Sequence, residues 1–413
     1  MTTALFFDPA CIDHDPGLGH PEQPTRLVAV RDALAAPAFD GLDRRMPPPA
    51  TVDQLARAHD RAYVDGVLAA VPASGQVMLD ADTFMSPGSG VAALSAAGAA
   101  CAAVDAVLAG EVANAFCAVR PPGHHAEYDR AMGFCLFNNV AVAAHHARAV
   151  YGLTAVAVVD FDVHHGNGTQ HAFENDGGFF FASSHQFPFY PGTGDVGEVG
   201  RGNVHNAPLP AAAGAQAFRA AWETRLLPAL AAFKPELIII SAGFDAHHDD
   251  PLAEIHLDED DYVWITREIM AIADSSAGGR LISSLEGGYD LAALGRSVAA
   301  HVATLMSGGG GTGSQADHPG LTCATETGGP EAAVIDTHDM EALSFEQALA
   351  ELEAIVTRLE TGEGALDDAI AAYERGAKLK QHCQKKLDEA RMKVEKIRLP
   401  EDGGAASSEP FDG

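Results

Sequence analysis

The chain has 413 residues, more than one hydrophobic core usually serves, although α/β enzymes can use about three hundred in a single domain, so more than one unit is expected. A formal net charge of −31 at pH 7 argues against unaided binding of nucleic acid or anionic membranes through the bulk surface and favours cationic substrates. The six cysteines show no CxxC spacing, the N-terminus has no basic-then-apolar pattern, and no apolar run is long enough to span a bilayer, which together read as a reduced, cytoplasmic protein.

Residues 91–108 form an alanine-rich stretch interrupted by Asp105, which predicts a helix of the core and not a membrane segment. The apolar stretch 115–119 reads as a strand and runs into Arg120-Pro121-Pro122-Gly123-His124-His125-Ala126, two adjacent histidines just after a Pro-Pro-Gly turn. Histidine is the side chain that exchanges protons near neutral pH. The pair His145-His146 sits in an alanine-rich helical run and reads as solvated or structural.

The next apolar run, residues 155–159, ends in Asp160-Phe161-Asp162-Val163-His164-His165-Gly166-Asn167-Gly168. Asp162 and His164 lie two apart, so on an extended segment both point to one side and could share an ion. Oxygen plus nitrogen ligation suits zinc, with iron or manganese possible. A lone Asp-x-His pair is more often a polar loop; the segments around it make the difference. Leu237-Ile238-Ile239-Ile240 is a continuous apolar run typical of a buried parallel strand, and it leads to Gly243-Phe244-Asp245, a third candidate ligand. His247-His248, in an Asp-rich loop, reads as solvated or structural. The run Leu281-Ile282-Ser283-Ser284-Leu285 gives way to Glu286-Gly287-Gly288-Tyr289, where a phenol could donate a hydrogen bond to a polarised carbonyl. In open α/β sheets ligands bind outside the carboxyl ends of the strands, so four loaded segments that each follow a strand should converge in one crevice.

In order and wording these segments resemble the histone deacetylase and acetylpolyamine amidohydrolase family, over about residues 6–306. The resemblance implies a three-layer arginase/deacetylase-like α/β fold with a mostly parallel central sheet. It implies one zinc held by Asp162, His164 and Asp245, with paired catalytic histidines His124 and His125, the former paired with Asp160, and Tyr289 as the transition-state tyrosine. Asn167 stands where the first deacetylase class carries aspartate, so the partner of the second histidine is neutral and the likeness leans to the second class. Gly133-Phe134 and Phe189-Tyr190-Pro191-Gly192 resemble tunnel walls that flank an aliphatic acyl-amine stem, with core packing as the competing reading. Asp82 falls near a rim carboxylate that holds substrate, and Arg26 near an internal acetate pocket, a surface salt bridge being an equal alternative for Arg26. K+ or Na+ sites fed by carbonyls of Asp160, Asp162 and His164 and by Ser183 are also implied. Cys135 reads as a small buried residue, since no motif activates it.

Lys234 is the only lysine before Lys378, after which five more follow quickly, a shift in composition that marks a second unit. The expected division is a deacetylase-like domain at 1–306, a Gly-rich flexible linker at 307–339, a helical hairpin at 340–400 and a disordered tail at 401–413. Ser344 with Gln347 gives a capping-box pattern, and Phe345, Leu349, Leu352, Val356 and Leu359 repeat at helical spacing. A break at Thr361-Gly362-Glu363-Gly364 precedes a longer helix from Leu366, which Pro400 stops. Such a hairpin cannot bury both its stripes alone, so it should self-associate or dock on another helix. Residues 343–399 resemble the exodeoxyribonuclease VII small subunit, notably in Phe345-Glu346-Gln347-Ala348-Leu349, Leu359-Glu360-Thr361-Gly362 and Tyr373-Glu374-Arg375-Gly376. That resemblance implies a non-catalytic subunit bound by a large nuclease subunit; a generic coiled-coil tail is the alternative.

Three other function classes compete with the deacetylase reading. A two-metal ureohydrolase would need a second closely spaced carboxylate after Asp245, where the chain has Ala246-His247-His248. A non-enzymatic reader of acetylated chains would lack the acid, base and oxyanion groups that His124, His125 and Tyr289 offer. A nuclease-complex subunit with a silent first domain would leave the metal ligands unused.

Overall fold

The described residues hold ten strands, most of them separated by helices: β1 (Thr3–Phe7), β2 (Asp43–Arg45), β3 (Val77–Asp80), β4 (Thr83–Met85), β5 (Asn114–Ala118), β6 (Val156–Asp160), β7 (Phe179–Gln186), β8 (Val204–Leu209), β9 (Leu237–Ala242) and β10 (Leu281–Leu285). The structure is a computed structural model that describes residues 2–308 together with Arg375 and Leu379. Eight strands form one sheet in the order β2-β1-β5-β10-β9-β6-β7-β8, every pairing parallel; β3 and β4 make a separate antiparallel hairpin.

Parallel strands buried on both faces read as unbroken apolar runs, and β9 is buried at all six positions. Its side chains alternate between two cores. Ile238 and Ile240 join Phe116, Leu281 and the inner stripes of helices Thr25–Ala33, Glu259–Ile272 and Leu291–Ser307. Leu237 and Ile239 join Ala115, Ile282 and the helices Ser89–Leu108 and Asn139–Tyr151 on the other face. Each fully buried isoleucine contributes about 1.5–3 kcal/mol, so this strand anchors both layers. The result is the expected three-layer α/β fold.

Helix Ser89–Leu108 is apolar and long enough to cross a membrane by composition alone, yet it is largely buried against the sheet and its neighbours. Small side chains let the chain pack closely there: a Cβ on Gly98 would meet the Pro48 carbonyl oxygen at 2.0 Å. Two helices that follow site loops, Asn139–Tyr151 and Leu291–Ser307, start at side-chain caps. Asn138 accepts a hydrogen bond from the Ala141 amide (2.9 Å), and Asp290 from that of Ala293 (2.8 Å), each satisfying a donor the helix leaves unpaired.

The expected linker, hairpin and tail lie outside the described residues, apart from Ser307, Gly308, Arg375 and Leu379. Ser307 closes helix Leu291–Ser307, one residue beyond the expected end of the first domain, and Arg375 and Leu379 are both helical.

Candidate active site

The four strands that carry the loaded segments are neighbours in the sheet, in the order β5-β10-β9-β6. Being parallel, they bring their carboxyl ends together, which places the segments after Ala118, Asp160, Ala242 and Leu285 in one crevice.

At its centre Asp162, His164 and Asp245, all buried, bring ligand-type atoms within 4.8 Å of one another. Nδ1 of His164 lies 3.1 Å from Oδ1 of Asp162 and 3.2 Å from Oδ2 of Asp245. The strand stops at Asp160, so the convergence of Asp162 and His164 does not come from extended backbone as expected; it comes from a turn in which Asp162 accepts the His164 amide (2.9 Å). Backbone amides of Gly287 and Val163 orient the two carboxylates, at 2.8 Å each. Glycine is required around them: a Cβ on Gly287 would meet Asp245 at 2.0 Å and one on Gly243 would meet Asp162 at 2.0 Å. Burial and the neighbouring Asp162 charge raise the Asp245 carboxyl above its usual range. Two buried carboxylates and an imidazole nitrogen converging on one point are a donor set that a divalent cation satisfies, and one nitrogen with two oxygens is within zinc's range.

Beside this cluster the rings of His124 and His125 lie 4.0 Å apart between centroids. His124 meets Asp160 through Nδ1 at 3.0 Å. Burial disfavours its charged form, but the Asp162 and Asp160 carboxylates outweigh that and raise its pKa to about 10. His125 meets Oδ1 of Asn167 through Nδ1 at 2.7 Å. Burial, with the neighbouring His124 charge, holds its pKa well below 6.5. One fold thus presents a charged and a neutral imidazole side by side, the pattern of an acid and a base.

Tyr289 is buried, and burial pushes its phenol well above 10, so it remains a hydrogen-bond donor. Its amide donates to Oδ2 of Asp250 (2.6 Å), and the Arg26 guanidinium stands 4.8 Å from its ring centroid. The Phe134 ring lies 5.9 Å from Tyr289, and Tyr190 stands edge-on 5.1 Å from His125. Phe134 and Gly133 both have positive φ, 68° and 56°, and a Cβ on Gly133 would meet His125 at 2.4 Å. Asp82 accepts the Gly133 amide (3.1 Å) and its neighbour Thr83 accepts that of Phe134 (3.0 Å), so the hairpin β3-β4 braces this wall.

Arg26 is not a surface salt bridge. It is fully buried, bonded to Glu22 (2.9 Å) and to the carbonyls of Gly288 and Glu286 (2.6 Å each), because the loop before Tyr289 wraps over the start of its helix. Glu22 also takes Arg120, likewise buried, at 2.5 and 2.8 Å. Cys135 is buried with its thiol pushed well above 9, and it donates to the Gly133 carbonyl. Ser183 is buried in register with Asp160 and meets His185 at 2.8 Å. His146 bridges Asp105 and Arg57 at 2.7 Å each, a structural role. His247, His248 and Asp249 also cluster closely enough for a cation. There Nδ1 of His247 already accepts the Asp249 amide (3.0 Å) and Arg296 neutralises Asp249 (3.0 Å).

Several residues at the site were not anticipated. Glu286 accepts the amides of Gly123 (2.6 Å) and His124 (3.1 Å), tying the β10 loop to the histidine loop, and burial lifts its pKa to about 7. Asp250 holds the Tyr289 amide, while Phe189, from the expected tunnel wall, stacks on His164 at 5.3 Å. Glu286 and Asp250 are carboxylates beside segments already singled out, a usable signal; their partners are set only by the fold.

The histone deacetylase domain family model matches residues 20–305, and the exonuclease VII small subunit model matches residues 345–396. The chain is 39% identical to a protein named histone deacetylase 14, chloroplastic, from Arabidopsis thaliana, over 73% of this chain and 76% of that protein. It is 41% identical to a histone deacetylase-like amidohydrolase of Pseudomonas aeruginosa, over 70% of this chain and 81% of that one. A crystal structure described as the HDA15 HD domain superposes with a TM-score of 0.70 at 35% identity, covering 74% of this chain and 88% of its own.

Proposed function

The chain belongs to the histone deacetylase family, and on that premise we propose that it is a zinc-dependent amidohydrolase removing acetyl groups from acetyl-lysine or acetylpolyamine-type amines. The observation that carries the reading is the buried Asp162, His164 and Asp245 set flanked by His124, paired with the Asp160 carboxylate, and His125, paired with the neutral amide of Asn167. Zinc bound there supplies Lewis-acid polarisation of the acyl oxygen and lowers the pKa of water.

The residues of the chain do the rest. His125, neutral, accepts the proton of the attacking water. His124, paired through Nδ1 with the Asp160 carboxylate at 3.0 Å, stabilises the charge that develops on the acyl oxygen and protonates the departing amine, while Tyr289 donates a hydrogen bond to that oxygen. The Phe134 and Tyr190 rings flank the aliphatic stem of the amine, and the net charge of −31 favours a cationic substrate at the mouth. Potassium or sodium near Ser183 would be structural. A cytoplasmic setting fits the free, buried state of Cys11, Cys101, Cys117 and Cys135, the cysteines among the described residues.

The match at 345–396 supports a second role for the same chain, binding a large exodeoxyribonuclease VII subunit through residues 340–400 without nuclease chemistry of its own. Acetate release from an acetyl-lysine peptide and from an acetylated polyamine tests the first role: turnover of at least one is expected, and turnover of neither refutes the acetyl assignment. Recovery of the large subunit by the full chain, and its loss when residues 340–400 are removed, tests the second.

A further inference from the structure

Behind His125 a chain of hydrogen bonds runs from the centre of the site to the surface. Asn167 presents Oδ1 to Nδ1 of His125 (2.7 Å) and Nδ2 to Oε1 of Glu127 (2.5 Å). Nδ2 also reaches the His125 carbonyl at 3.4 Å and Sδ of Met132 at 3.5 Å. Glu127 in turn takes Nδ1 of His171 at 2.9 and 2.7 Å on its two oxygens. The Glu127 side chain is 12% exposed and that of His171 45%, so the chain ends in water. We propose that Glu127 is the positioning residue for His125: its carboxylate fixes the amide orientation of Asn167, and the amide then fixes the tautomer of the base.

A primary amide is ambiguous toward a histidine. With its oxygen toward Nδ1 it demands a proton there and leaves Nε2 with a free lone pair; turned over, it offers N–H and selects the opposite tautomer, which cannot accept a proton at Nε2. An aspartate at this position would carry no such ambiguity. Asn167 does, and Glu127 removes it. In the reversed orientation Oδ1 of Asn167 would face the Glu127 carboxylate and Nδ2 would face Nδ1 of His125, losing a charge-assisted hydrogen bond and gaining a repulsive contact. Glu127 supplies, one residue further out, the negative charge that the neutral Asn167 lacks.

The backbone that carries this carboxylate is itself held in place. The Glu127 amide donates to the Arg130 carbonyl (2.9 Å), and its carbonyl accepts Nδ1 of His59 (2.8 Å). Nε2 of His59 accepts the Asn138 amide (2.8 Å), so the His59 proton sits on Nδ1. The hydrogen bonds of His171 and Asn167 outweigh burial and keep the Glu127 carboxyl below its usual pKa, hence ionised.

The proposal rests on His125 acting as base, and its test separates the two claims. Full-length, zinc-loaded protein labelled with 15N-histidine is examined by NMR at neutral pH, with the His125 signals assigned by their loss in His125→Ala. The wild type should show His125 protonated at Nδ1 alone. Glu127→Gln, nearly isosteric, and Glu127→Ala should both show mixed tautomers. In both, kcat should fall about 10- to 100-fold, the usual scale for losing an orienting partner, with KM within about twofold. An unchanged Nδ1 tautomer in the variants, an Nε2-protonated wild type, or a loss carried by KM alone would overturn the role of Glu127. Retention of turnover by His125→Ala would instead overturn the assignment of the base, and the tautomer signals would still decide what Glu127 does to Asn167.

Discussion

Replacing Glu22 by glutamine should destabilise the first domain far more than its single-atom change suggests. The carboxylate is wholly buried between the Arg120 and Arg26 guanidinium groups, at 2.5 and 2.9 Å, with Nε2 of His14 at 3.3 Å. Burial opposes its charge, yet Arg120 and His14 hold its pKa well below the usual carboxylate range. Glutamine keeps one acceptor oxygen but leaves two buried guanidinium charges without a counter-ion, and breaking a buried pair in this way costs about 3–5 kcal/mol. At about 2.1 cal/mol/K per residue of unfolding entropy, a domain of roughly 300 residues should melt about 5–8 °C lower. Both tryptophans, Trp222 and Trp264, lie in this domain, so urea unfolding followed by tryptophan fluorescence reads it without interference from residues 340–400. Asp32→Asn, at the exposed Arg31 pair, is the control and should change stability by no more than about 0.5 kcal/mol. A loss below about 1 kcal/mol for Glu22→Gln would refute the view that this network is charged and fully desolvated.

Tyr289→Phe should lower kcat about 10²- to 10³-fold, the usual scale for one oxyanion donor, while bound zinc measured by elemental analysis stays the same; an unchanged rate would remove Tyr289 from the chemistry. Asp245→Asn should abolish the upward shift in melting temperature that zinc produces in the wild type, since only the native site binds the ion; a retained shift would place the metal elsewhere. Acid should destabilise the fold. Burial holds His59 at about 4 and His301 at about 3, both below an unfolded value near 6.5. Their contribution is therefore complete above pH 6.5 and is lost as pH falls toward those values. Between pH 7.5 and 5 each should remove on the order of 2 kcal/mol, read as a lower urea midpoint; a midpoint that does not move would contradict neutral burial.

The strands and their order of chemistry were legible because β5, β6, β9 and β10 are short, mostly apolar runs that give way within a few residues to histidines, carboxylates or glycines. Their convergence followed from a rule about parallel sheets, and the order β5-β10-β9-β6 is the arrangement that makes the rule work. The local reason given for Asp162 and His164 was wrong in detail, since the turn after Asp160, and not strand periodicity, points them together. Arg26 was ambiguous because an arginine near acidic residues pairs as readily on a surface as in a buried network. Only the fold shows Gly288 and Glu286 closing over it. Glu127 and His171 lie 44 residues apart and carry no motif, so nothing local could pair them. Side chains that bond backbone or partners across distant loops are the part of a site that a single sequence hides.

In the proposed reaction Asp162, His164 and Asp245 hold the ion on which amide hydrolysis depends. Acetate release from the acetyl-lysine peptide and the acetylated polyamine, followed as zinc is added back to stripped protein, tests it most directly. The stripped chain should release negligible acetate, with recovery that saturates at one zinc per chain for at least one substrate. Full release without metal, or recovery that requires two ions, would contradict it.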